Sequence, residues 1–70
     1  MVNQKFKLET EYIKLDSLIK LLGLVSTGGQ AKNIIQNGDV YVNDEVCLMR
    51  GKKIRVGDKI KIFSNTIEVI

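Results

Sequence analysis

Apolar residues recur along this chain at spacings that change from two to three-and-four and back to two. Lys5-Phe6-Lys7-Leu8-Glu9 alternates polar and apolar, the period of a half-buried strand. Glu11-Tyr12-Ile13 reads as a connection or a second extended piece. Leu15, Leu18, Ile19 and Leu22 then fall at i, i+3, i+4 and i+7, predicting a helix from about Leu15 to Leu22, with Asp16 well placed in its first turn and Gly23 as its stop. Leu24-Val25 is an apolar hinge.

The stretch from Ser26 to Asn43 organises the rest. It reads as a glycine loop, a short helix, a glycine stop and a strand. Gly28 and Gly29 mark a place where the backbone bends or another molecule comes close. Ser26 or Thr27 can cap the helix that follows. Ala31, Ile34 and Ile35 share one face, and Gln30, Lys32, Asn33, Gln36 and Asn37 occupy the others. Gly38 ends the helix as a C′ residue.

The second half alternates again. Val40-Tyr41-Val42 is a strand, Asn43-Asp44 a two-residue hairpin turn, and Glu45 to Leu48 the return. Arg50 to Val56 is a basic stretch with Ile54 and Val56 two apart, and Gly57-Asp58 turns. Lys59 to Phe63 alternates, Ser64-Asn65 turns, and Thr66 to Ile70 closes with a strand that can pair with the N-terminal one. The expected order is β-α-α-β-β-β-β, an α+β fold with two short helices packed on a small antiparallel β-sheet.

Composition narrows the function. Seventy residues make one small domain, near the size at which a single core is marginal, and the 44% hydrophobic fraction argues that it folds. The lone Cys47 permits no internal disulfide and fits a reducing cytosol. The start lacks a signal-peptide apolar region, and the run Leu21 to Val25 is too short to span a bilayer, so a cytoplasmic protein is expected. With no His and a single Cys there is no zinc set and no nucleophile paired with a base, so neither catalysis nor a metal or other cofactor is expected. The net charge of +3 hides an asymmetry: Arg50 to Lys61 holds six basic residues against one acid, while the remainder sums to −2. Such clustering points to a polyanion.

Lys14-Leu15-Asp16, Leu22-Gly23-Leu24-Val25, Ser26 to Lys32, Gly38 to Asn43 and Val56 to Ile60 together resemble the S-four-type RNA-binding domain, whose helix–loop–helix is called the αL motif. The resemblance spans roughly residues 11 to 63 and is closest to the small stand-alone YaaA/YbcJ-like branch, which carries Thr-Gly-Gly and a basic run like Arg50 to Arg55. It implies binding to structured RNA, rRNA or tRNA, with a ribosomal particle as the setting and neither a membrane nor a small-molecule substrate as partner. Carried over, Lys14, Thr27, Gly28, Gly29, Gln30, Lys32, Asn33 and Gln36 map onto the αL surface, and Arg50, Lys52, Lys53 and Arg55 onto the basic loop. Two departures stand out. Many members have Arg where Thr27 stands, so one phosphate contact is missing or comes from Arg50 or Lys52, and the usual Asn-Gly turn is Asn43-Asp44.

The residues themselves add chemistry and alternatives. A glycine loop opening a helix offers N–H groups to phosphate, but no Gly-Lys-Ser/Thr follows, which excludes a P-loop. Lys32 and Gln36, one turn apart, can reach phosphate and 2′-hydroxyl together. Lys59 and Lys61 read as the wet face of a strand, and Tyr12, Tyr41, Phe6 and Phe63 as core or sheet-face residues rather than a stacking platform. Two competing readings remain: a protein–protein adaptor on a ribosomal or replication complex, contacting through an apolar sheet face or the termini, and a general DNA binder.

Overall fold

The computed structural model describes residues 2–70. Strand β1 (Val2–Phe6) and the short β2 (Ile13–Lys14) precede helices α1 (Leu15–Leu21) and α2 (Gly28–Gln36), and five strands follow. These are β3 (Val40–Val42), β4 (Glu45–Val46), β5 (Lys53–Ile54), β6 (Lys59–Ile62) and β7 (Asn65–Val69). The α+β class and both helices agree with the apolar spacing.

The helix ends follow local chemistry. In α1, Gly23 lies just past the end at φ 75° and its N–H donates to the Lys20 carbonyl at 3.1 Å. In α2, Gly38 at φ 81° donates to Ile35 at 3.1 Å, while Asp39 donates to Ile34 at 3.1 Å. That pair of bonds is a Schellman motif, which satisfies carbonyls the helix leaves free.

One sheet has the order β1-β7-β6-β3-β4, and β2 and β5 form a separate two-stranded ladder. The sheet departs from the antiparallel expectation at one edge: β1 lies parallel to β7, with Val2 across from Asn65 and Phe6 across from Val69. Alternation marks which face a residue takes but carries no strand direction. The β6–β7 turn is Phe63-Ser64, one residue earlier than expected, because Ile62 pairs with Asn65. Phe63 takes the left-handed conformation there, at φ 55°. The 50–56 stretch forms only the two-residue β5; Ile54 is buried and Val56 is 63% exposed. The return strand of the Asn43-Asp44 hairpin is likewise two residues long.

The hairpin itself is as expected. Asn43 and Asp44 have φ 53° and 69°, the signs of a type I′ turn. Asn43 also ties this turn to the one before β6: its Nδ2 donates to Asp58 Oδ1 at 3.1 Å, and its Oδ1 accepts from the Lys59 N–H at 3.0 Å. Asp58 Oδ2 accepts from the Arg55 N–H at 2.9 Å.

The core lies between the helices and the sheet. Leu15, Leu18, Ile19, Ala31 and Ile35 come from the helices, and Val40, Ile60, Ile62, Ile67 and Val69 from the strands. No polar side chain is buried among the described residues, so the core rests on apolar burial, about 1.5–3 kcal/mol for each large aliphatic residue. Ile54→Ala should therefore cost about 2–5 kcal/mol in urea unfolding. Val56→Ala, two positions on, should change stability by no more than about 0.5 kcal/mol.

Candidate nucleic-acid interface

Helix α1 starts without a side-chain cap at Lys14. Its first N–H groups are taken instead by carbonyls of the basic loop: Leu15 donates to Lys52 at 2.9 Å and Asp16 to Arg50 at 3.1 Å. The Asp16 carboxylate serves both sides, accepting from the Ser17 N–H at 2.8 Å and from Arg50 Nε at 3.2 Å. The β2–β5 ladder completes the junction by pairing Ile13 with Ile54 and Lys14 with Lys53.

This junction gathers charge. Lys14 and Lys53 stand directly opposite each other on a two-strand ladder, both exposed, with Lys52 next in sequence. Like charges in that relation are unfavourable in water, and a bound polyanion reverses the sign. Lys53 Nζ lies 5.0 Å from the centroid of the Tyr12 ring, a cation–π contact that steadies the ammonium. Sequence reasoning placed Tyr12 in the core or on a sheet face; it is exposed beside the basic loop, and its place next to the Ile13-Lys14 strand was the available signal. Arg50 differs from the lysines because Asp16 already compensates part of its charge.

Helix α2 supplies the second group. Thr27, not Ser26, is the N-cap, its side chain accepting from the Gln30 N–H at 3.2 Å. Gln30 answers with its Oε1, which accepts from the Ser26 N–H at 2.7 Å, a reciprocal arrangement close to a capping box. Gln30 and Thr27 thus hold the loop, while Lys32, Asn33 and Gln36 are exposed.

Gly28 and Gly29 do not bend the chain. They are the first two residues of α2, and neither has positive φ. A Cβ on Gly28 would meet nothing within 4 Å, and one on Gly29 only Thr27 Oγ1 at 3.8 Å. The fold does not require glycine at either position; glycine leaves the backbone at the positive end of the helix bare.

The structure thus joins Lys14, Arg50, Lys52 and Lys53 at the start of α1, and sets Thr27 to Gln36 along α2, which packs against α1. Arg55 stands apart, beyond β5 in the turn closed by Asp58. Lys59 and Lys61 lie on the solvent face of the sheet, across from Glu68 and from Tyr41 and Thr66. Among the described residues no cluster of His, Cys, Asp or Glu could hold a metal, and no helix is long and apolar enough to cross a membrane.

This combination of a two-helix surface and a docked basic loop on a small sheet is that of an RNA-binding module, and the model of the S4 domain matches residues 6–70. The chain belongs to the S4 domain family. A Bacillus subtilis (strain 168) protein described as a probable ribosome maturation protein RlbA is 40% identical over 55 residues, covering 79% of this chain and 78% of that protein.

Gly28→Ala provides a check on the glycine reading. With helical φ and open space, alanine should stabilise the protein by about 0.4–1 kcal/mol in chemical denaturation.

Proposed function

We propose that this protein binds a folded ribosomal RNA during maturation of a ribosomal particle, and that it acts by binding rather than by catalysis. The observation that carries this reading is the Lys14–Lys53 pair, two exposed cations set face to face beside Lys52 with no acid between them in the ladder. Phosphate is the natural counterpart of such a pair. The RNA backbone would run from these lysines to the start of α2, where bare N–H groups of Gly28 and Gly29 and the Lys32 ammonium take further phosphates.

Asn33 and Gln36 are suited to 2′-hydroxyls and exposed base edges in a shallow groove, so recognition would be by shape more than by base sequence. Arg50 and Arg55 contribute long-range attraction and outer contacts. Gln30 and Thr27 hold the loop in place. Ribosomal RNA is favoured over tRNA by the relative's description as a ribosome maturation protein.

Fluorescence anisotropy with an RNA hairpin and its DNA counterpart, over about 50–200 mM salt, tests the proposal. Engagement of about four phosphates gives a slope of log K against log salt of roughly −3. Combined Lys32→Ala, Gln36→Ala and Lys53→Ala should abolish the RNA preference, and Gly28→Ala should weaken binding while stabilising the fold. Equal affinity for both hairpins, or no binding at physiological salt, would overturn the proposal.

A further inference from the structure

Beside the basic loop, a groove of about 710 Å³ that no helical residue lines opens between β4 and the 52–56 segment. Its aliphatic lining is unusually bare: Val46, Leu48, Met49 and Val56 are between 49% and 67% exposed. Lys52, Lys53 and Arg55 form its charged wall. Of the acids there, Asp58 is turned into hydrogen bonds with Asn43 and the Arg55 N–H, which leaves Glu45 at the rim.

The groove follows an open sheet edge. Among the described residues β4 is the last strand of its sheet and pairs only with β3. Cys47 donates to the Val40 carbonyl at 2.9 Å, and Tyr41 faces Val46 in the ladder. Antiparallel pairs alternate between bonded and non-bonded, so Tyr41–Val46 is a non-bonded pair and the N–H and C=O of Val46 point away from β3.

We propose that this groove receives an extended segment of a partner protein that carries alternating apolar and acidic side chains and adds as a strand to β4. The Val46 backbone groups would pair with the incoming chain, the aliphatic patch would take its apolar side chains, and the cationic wall its carboxylates. The composition distinguishes this occupant from RNA. Unpaired bases are held by aromatic or guanidinium faces, and the lining has no aromatic residue and a single Arg, whereas exposed aliphatics including Met with a charged rim match the anatomy of a protein interface. The groove shares the Lys52 and Lys53 side chains with the proposed RNA surface, whereas its aliphatic patch and open strand edge lie outside that surface.

The test uses the full chain, ¹⁵N-labelled, with an array of peptides of about eight residues, roughly one strand in length, alternating apolar and acidic positions, and a matched array with Lys in place of the acids. Acidic peptides should shift the amides of Val46, Leu48, Met49 and Val56. Leu48→Ser with Val56→Ser, which leaves the net charge as it is, should weaken them by about tenfold or more, with RNA-hairpin affinity unchanged. Leu48→Ser is the milder variant if the double change disturbs the spectrum. Acidic peptides that bind no better than lysine peptides, or that shift amides away from β4, would overturn the proposal. So would an RNA hairpin with unpaired nucleotides that shifts the Val46 and Leu48 amides in their place.

Discussion

A short helix that begins without a cap must find partners for its first N–H groups, and α1 finds them in a loop far along the chain. Arg50, 34 positions beyond Asp16, offers its carbonyl to the Asp16 N–H and its guanidinium to the carboxylate, and Lys52 offers its carbonyl to Leu15. Buried or half-buried N–H groups left unpaired are costly, so the loop is fixed by the helix's requirement as much as the helix is by the loop. Because loop and helix are locked together by main-chain atoms, the Lys52 and Lys53 side chains are left free to face outward. The cationic surface is a by-product of a capping solution.

The apolar core and the charged exterior divide the work cleanly. Every core residue named for the helices and strands is aliphatic or alanine, and the described residues bury no polar side chain. Nothing in the interior therefore depends on ionisation, and the charged residues can be placed for recognition. A polar network with a structural role lies at the surface, where Asn43 and Asp58 join two turns and hold Arg55 and the start of β6 in position. It also fixes the far wall of the groove beside β4.

The glycines fall into two groups, those that a turn of the backbone requires and those that it does not. Gly23, Gly38 and Gly57 have positive φ, and the first two end helices as their position after an apolar helical pattern indicates. Gly28 and Gly29 do not, and each leaves a helix start without a side chain where a Cβ would fit. Phe63 shows the converse: it takes φ 55° in a turn whose neighbours, Ser64 and Asn65, have the better turn chemistry.

The sequence by itself determined both helices, the Asn43-Asp44 hairpin and the alternating faces of β3 and β6, because each depends on residues three or four apart, or two apart, along one segment. It also located the basic run and the polar face of α2. Only the tertiary structure decided the β6–β7 register, since sliding two strands by a pair of residues keeps every side chain on its face and alternation cannot tell the two apart. It decided the parallel course of β1, which pairs with the opposite end of the chain. It decided, finally, that Lys14 meets Lys53, that Tyr12 lies under an ammonium, and that Val56 leaves the core while Ile54 stays. Those three outcomes follow from a two-residue ladder between distant segments, too short to leave a periodic trace in either.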